Sequence, residues 1–209
     1  MDYRRYKVSR DLAWSVLLEE GVTELPVKVV ALCRQMGIRV SYFDPEEGGS
    51  DGYSTILLGR PRIFVSRKCS PERQRFTIAH ELGHILLGHV GQYKLVNREP
   101  DPGDNPIEQE ANVFASRLLA PACVLWALDA WEPEQIAKLC DISLQSASFR
   151  AERLAKVRYR GKFLASPLER QVHDQFLTFI EKAREGESQI TGDVGHLIKD
   201  RDQCGELLI

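Results

Sequence analysis

The run His80-Glu81-Leu82-Gly83-His84 constrains this chain more than any other feature, because it lies within a stretch of helical apolar periodicity. On a helix, residues i and i+4 lie about one turn apart on the same face, so both imidazoles can bind one metal ion. Glu81 lies beside that face, where its carboxylate can take a proton from an attacking water. The spacing therefore predicts a metal site with a general base next to it.

The residues before this motif predict where its helix begins. Ser70 can cap the first turn, Pro71 fits the first helical position, and Glu72 favours the positive end of the helix dipole. Apolar side chains then recur on one face, at Phe76, Ala79, Leu82 and Leu86. This stripe predicts a buried platform behind the two histidines.

A second helix over residues 106–120 is predicted to supply the third ligand. A catalytic zinc ion needs three protein ligands and one open position. Glu108 can complete the set, and Asn112 on the same face can accept a hydrogen bond from the outer ring nitrogen of a ligand histidine. Glu110 is the alternative third ligand, but it lies about 200° round the helix from Glu108, so both cannot bind one ion.

Three further residues are candidates for roles around the metal. His89 follows Gly88, which is predicted to end the helix, so we expect a pocket-edge or surface residue rather than a ligand. The H-E-x-x-H arrangement is that of zinc peptidases, which also need a donor to the developing oxyanion, and Tyr53, His89 and Tyr93 are candidates for it. The sequence does not choose among these three.

The two helical segments together resemble the ImmA/IrrE family of metallo-endopeptidases, which are gluzincin-like. The resemblance rests on residues 75–87, with their H-E-x-x-H pattern, and on residues 108–121, with the E-x-x-A-N pattern, and it covers roughly residues 10–155. It implies that His80, His84 and Glu108 are the zinc ligands and that Glu81 is the catalytic glutamate. Asn112 stands where related peptidases often carry an aspartate.

The resemblance also implies a function. We expect a zinc-dependent endopeptidase that hydrolyses a protein substrate, and the family suggests a DNA-binding transcriptional repressor cleaved in a stress or mobile-element response. The alternative is a non-catalytic regulatory protein that binds DNA or a repressor partner. A glutamate between the two histidines argues against this alternative, because a structural metal site needs no base.

Composition limits where such a protein works. The chain has 209 residues, is 43% hydrophobic and carries a net charge of −2, so the whole chain has no electrostatic preference for nucleic acid or anionic membranes. No apolar run approaches the roughly 20 residues that cross a bilayer, and the polar N-terminus lacks a signal core. Five scattered cysteines without a C-x-x-C pair favour a reducing, cytoplasmic setting.

The pattern along the chain predicts an α+β fold with a small, mainly antiparallel sheet packed against zincin-type helices. Helices are expected at residues 9–21 and 26–37, and strands at 38–43, 53–58 and 62–66, the last two as a hairpin. Residues 93–105 are expected to form a loop beside the site. We divide the chain into a peptidase domain (1–121), a helical region (122–185) and a polar tail (186–209).

The helical region contains a pattern typical of a helix-turn-helix. Residues 132–140 and 144–154 are predicted helices, joined by a turn at 141–143, and a third helix is expected around 168–185. Residues 150–184 carry nine Lys/Arg against four Asp/Glu, so DNA binding is possible there. We favour a structural or protein-binding role, because such helix pairs also serve as packing units.

Overall fold

A computed structural model of the protein describes residues 2–46, 49–90 and 105–185, and it has the predicted α+β architecture. Its first part holds α1 (Tyr3–Glu19), α2 (Val29–Gln35), β1 (Arg39–Phe43), β2 (Gly52–Leu57), β3 (Arg60–Ser66) and α3 (Pro71–Leu86). Its second part is helical, with α4 (Pro106–Leu119), α5 (Ala122–Ala127), α6 (Pro133–Cys140), α7 (Leu144–Tyr159) and α8 (Pro167–Gln175). Residues 177–185 are helical as well.

The sheet is mixed, with strand order β1-β3-β2. β2 and β3 form the predicted antiparallel hairpin, and their two-residue turn, Leu58-Gly59, has positive φ at both positions. β1 pairs with β3 in parallel, from Arg39 opposite Arg62 to Phe43 opposite Ser66. β2 and β1 are therefore the two edge strands of this sheet.

Local capping explains where the two site helices begin. The Ser70 hydroxyl accepts a hydrogen bond from the Arg73 amide at the start of α3. The Asn105 side chain accepts one from the Ile107 amide at the start of α4. Each helix has proline in its first turn, where a missing N–H costs nothing. The predicted starts of both helices are confirmed.

Two glycines allow α3 to lie close to its neighbours. A Cβ at Gly83 would lie 3.0 Å from the ring of Phe114, which is fully buried on α4. A Cβ at Gly52 would lie 2.5 Å from the Thr77 methyl and 2.7 Å from the Phe64 carbonyl oxygen. The absence of side chains at these two points brings β2 and α4 within reach of α3.

One hydrophobic cluster runs through the described chain, from Ala13 on α1 to Ile180. The helices after residue 121 contribute to it, with Ile136, Leu154 and Phe176 fully or almost fully buried. The short helix α5, which the sequence pattern did not predict, adds Val124 and Leu125 to the same cluster. The division of the chain at residue 121 stays a prediction.

The helix-turn-helix pattern of α6 and α7 is joined to α3 by the side chain of Arg75. Its guanidinium donates to the carbonyl oxygens of Val27, Cys140 and Asp141 at 2.9–3.3 Å. The turn between α6 and α7 follows Asp141, which ends α6 in the left-handed conformation. The pair of helices is thus tied by hydrogen bonds to the helix that carries the histidines.

Four sequence predictions concern absences or segments that the structure does not describe. In the described ranges, no helix is long and apolar enough to cross a bilayer. The four cysteines within those ranges are free thiols. Residues 93–104 of the loop predicted at 93–105 lie outside the described residues, as does the polar tail from residue 186.

Candidate metal centre

His80 and His84 lie one turn apart on α3 and face the same way. Their Nε2 atoms are 2.9 Å apart. The His80 side chain is largely buried, with 10% of its surface exposed. The His84 side chain is similar, with 11% exposed. The structure therefore brings together the two imidazoles that the spacing paired.

Glu108 reaches these rings from the first turn of α4. Its Oε2 lies 3.1 Å from Nε2 of His80, and its Oε1 lies 3.5 Å from Nε2 of His84. The ligand atoms of the three residues all lie within 4.8 Å of one another. Two ligands of a tetrahedral zinc ion lie about 3.4 Å apart, as follows from bond lengths of about 2.1 Å. These three side chains can therefore hold a metal ion with small adjustments.

Asn112, one turn after Glu108, orients the first histidine. Its Oδ1 lies 2.9 Å from Nδ1 of His80. Because an amide oxygen only accepts hydrogen bonds, Nδ1 must carry the proton, and the lone pair is left on Nε2. This is the tautomer in which Nε2 binds a metal ion.

A longer chain of contacts orients His84. Its Nδ1 lies 3.0 Å from Nδ1 of His89, and Nε2 of His89 lies 2.9 Å from Oε2 of Glu110. The other oxygen of Glu110 lies 3.5 Å from the guanidinium of Arg5 on α1. Since the carboxylate accepts from Nε2 of His89, Nδ1 of a neutral His89 accepts from His84. His84 then also presents the lone pair of Nε2 to the cluster.

The surroundings also shift the pKa values of Glu108 and His89. Contacts with the rings of His80 and His84 lower the pKa of Glu108 well below its usual range, although burial acts in the opposite direction. Burial lowers the pKa of His89, and the neighbouring Glu110 only partly offsets this shift. Glu108 is thus ionised, as a metal ligand must be, and His89 is favoured in the neutral form that both accepts and donates.

Glu81 is buried next to the cluster, with 3% of its surface exposed. Its Oε2 accepts a hydrogen bond of 2.8 Å from the hydroxyl of Ser54 on β2. Ser54 could not be predicted from the sequence, because Glu81 lies 27 residues away and no spacing rule connects a strand to a helix. Its position on the strand next to α3 was the only available signal.

Two other candidates, Glu110 and Tyr53, are not part of the cluster. The carboxylate of Glu110 contacts His89 and Arg5, and it is not part of the cluster. Tyr53 stacks on Phe64 with ring centroids 4.9 Å apart, on the sheet face opposite to Ser54, since neighbouring strand residues alternate. Tyr93 lies outside the described residues.

Residues 33–152 match the family described as the IrrE N-terminal-like domain, and the chain belongs to this metallopeptidase family. The predicted family membership is thereby confirmed, and it agrees with a group of side chains that can hold a metal ion.

Two curated relatives are similar to the chain. The radiation response metalloprotease IrrE of Deinococcus radiodurans is 31% identical over 141 residues, which cover 63% of this chain and 38% of the relative. The protein of the same name from Deinococcus deserti is 36% identical over 105 residues, or 44% of this chain and 37% of the relative. The matched segments thus span less than two fifths of each relative.

A solved structure described as a Mycobacterium tuberculosis transcriptional regulator is also similar. It has a TM-score of 0.49 and 18% sequence identity, and the match covers 71% of this chain and 48% of that one.

Proposed function

We propose that the protein is a zinc-dependent endopeptidase that cleaves a protein substrate. The observation that carries the proposal is the convergence of His80, His84 and Glu108 beside the buried carboxylate of Glu81. Two imidazoles and one carboxylate from two helices form a three-ligand set that leaves one position for chemistry. Membership of a metallopeptidase family supports the same function.

The donor set fits zinc in its chemistry as well as its spacing. Both histidines present Nε2, and the ionised Glu108 neutralises one positive charge. When bound, zinc supplies Lewis-acid chemistry, because it acidifies a water and polarises a carbonyl. Asn112 and His89 fix the two rings, so little reorganisation is needed when the ion is held.

Glu81 is the proposed general base and then the general acid. Its carboxylate takes the proton of the attacking water and delivers it to the leaving amine nitrogen. The hydrogen bond that Ser54 donates to Glu81 holds this carboxylate in position for the proton transfer. Burial excludes bulk water from this exchange.

We propose that the substrate binds as an added strand on β2. This strand lies at the sheet edge and carries Ser54, so a peptide paired with it would run past Glu81. The repressor identity of the substrate and the cytoplasmic location remain proposals, supported by the family resemblance and by the free thiols.

The test compares Glu81→Gln with the matched control Glu72→Gln, which is partly exposed on the first turn of the same helix, away from the histidines. Cells that express each protein are compared by N-terminal proteomics, and metal content is measured on the purified proteins. We expect new substrate N-termini with the wild type and the control, none with Glu81→Gln, and equal zinc content in all three. The same N-termini with Glu81→Gln would refute the proposed base and favour the non-catalytic regulatory alternative.

A further inference from the structure

A basic cavity of about 370 Å³ lies away from the histidine cluster, between α1, α7 and the end of α4. Sixteen residues line it, of which eight are Lys or Arg and one, Glu169, is acidic. Three of the cations, Arg150, Arg153 and Lys156, recur at three-residue intervals along α7, and Arg160 follows at its C-cap. The basic residues that suggested DNA binding in the sequence therefore turn partly inward to this cavity.

Two arginines at the inner end of the cavity are buried. Arg150 is 2% exposed and Arg117 is 6% exposed. The Nε of Arg150 donates to the Ala120 carbonyl at 2.8 Å, and the Nη2 of Arg117 donates to the Tyr6 hydroxyl at 3.1 Å. Both acceptors are weak counterparts for a buried cation, whose desolvation costs several kcal/mol unless it is paired.

Three buried N–H groups on the lining residues have no acceptor within the described part of the chain. They are Nη2 of Arg150, Nε of Arg153 and Nε1 of Trp14, which is itself only 3% exposed. Buried donors are almost always satisfied in folded proteins. Three unpaired donors around one cavity indicate a missing partner that brings several acceptor atoms and negative charge.

The electrostatics point the same way. Burial and the neighbouring Arg117 lower the pKa of Arg150 well below its usual value. For the Tyr6 hydroxyl, burial acts to raise the pKa, but Arg117 and Arg153 lower it to about 8. The cavity has an excess of positive charge that its own residues do not balance.

From these contacts we infer that the cavity binds a small phosphorylated molecule with two linked phosphoryl groups. One phosphoryl group accepts hydrogen bonds from Arg150, Arg153 and Trp14, since guanidinium groups match phosphate oxygens in a bidentate way. The other lies at the exposed rim, near Lys156 and Arg160. The volume suits a small ligand, for which pockets measure roughly 300–1,000 Å³.

Duplex DNA does not fit the same observations. Its phosphates contact groups on a protein surface, whereas Arg150 and Trp14 are buried and lie under the rim of the cavity. Among the cations that line the cavity, Lys7, Lys156, Arg160 and Lys162 are exposed at the rim and available to a duplex. Binding to the unpaired donors requires a ligand that enters the cavity.

The experiment uses isothermal titration and thermal melting of the full chain with pyrophosphate, ADP and orthophosphate at constant ionic strength. We expect pyrophosphate to raise the Tm of the protein by about 3 °C or more, relative to chloride at the same ionic strength. If the natural ligand is a nucleotide, ADP should bind as well as pyrophosphate. If it is a free diphosphate, pyrophosphate should bind and ADP should not. Orthophosphate should bind at least about tenfold more weakly than pyrophosphate, because it lacks the second group.

Variants distinguish binding in the cavity from two other effects. One is nonspecific attraction between pyrophosphate and surface cations, and the other is chelation of a bound metal ion by pyrophosphate. Arg153→Gln should weaken pyrophosphate binding about tenfold or more, and Lys156→Gln at the exposed rim about threefold. The matched control is Arg158→Gln on the same helix, whose guanidinium stacks on Trp131 outside the cavity, and it should stay within about twofold of the wild type.

Three results would overturn the inference. The first is that pyrophosphate does not bind, and the second is that Lys156→Gln and Arg158→Gln weaken its binding equally. The third is that a DNA duplex displaces bound pyrophosphate competitively at a concentration below that of pyrophosphate. If Arg153→Gln does not fold, as judged by circular dichroism, the comparison of Lys156→Gln with Arg158→Gln decides alone. None of these measurements depends on peptidase activity.

Discussion

The hydrogen bond between Asn112 and His80 allows a quantitative prediction about metal affinity. Asn112→Ala removes the acceptor that lies 2.9 Å from Nδ1 of His80. The ring can then rotate or carry its proton on Nε2, which is the atom that binds the ion. We expect the variant to fold but to bind zinc more weakly.

The magnitude follows from the burial of the ring. Leaving a buried N–H without an acceptor costs about 1–3 kcal/mol, which corresponds to a factor of about 5 to 150 in affinity. Because 8% of His80 is exposed, water can replace the lost acceptor only in part. We therefore expect a loss of about 30-fold, within the 10- to 100-fold that removing such supporting groups usually costs.

The assay is a competition titration of the apoprotein with zinc and a chromogenic chelator. The matched control is Asn105→Ala on the same helix, because it removes a capping hydrogen bond but touches neither ring. It should cost about 1 kcal/mol of folding stability and leave zinc affinity within about threefold of the wild type. Unchanged affinity in Asn112→Ala, or equal losses in both variants, would refute the role given to Asn112.

Two further predictions concern the base and the basic cavity. Ser54→Ala should lower the cleavage rate about tenfold or more and leave zinc affinity unchanged, since Ser54 donates to Glu81 and not to a ligand; equal rates would exclude the positioning role. The pKa of Tyr6 falls to about 8 because Arg117 and Arg153 outweigh the effect of burial. Folding therefore favours the phenolate, so the Tm advantage of the wild type over Tyr6→Phe should grow as pH rises from about 8 to 10, and a constant difference would contradict this.

Features encoded by neighbouring residues could be predicted from the sequence. The start of α3 depends on Ser70 and the start of α4 on Asn105, and each cap acts within three residues. The pairing of His80 with His84 follows from helix geometry alone. The hairpin of β2 and β3 is also local, because its turn joins adjacent strands.

Features that depend on distant contacts could not be predicted. The alternation of β1 is the same whether it pairs in parallel or antiparallel, so its parallel pairing with β3 was not apparent. Helix α5 is six residues long, which is too short for a helical period to be recognised. The contact between Ser54 and Glu81 arises from folding and not from spacing.

The first helix illustrates the same limit. The polar residues before position 9 carry no apolar stripe, so the predicted helix began at residue 9, whereas α1 begins at Tyr3. Those residues are helical because Tyr6 meets Arg117 and Arg5 meets Glu110, both on α4. Charged and aromatic contacts, rather than apolar burial, hold this turn.

The three carbonyl groups bound by Arg75 have a consequence for how the protein opens. The segments around residues 27 and 140 share Arg75 as a hydrogen-bond donor, and they lose it if α3 unfolds locally. Their local unfolding is therefore linked to that of α3. Amide hydrogen exchange should consequently report one protection level for α3, the segment before α2 and the end of α6. Local opening that exposes α3 to solvent would then require these three segments to unfold together.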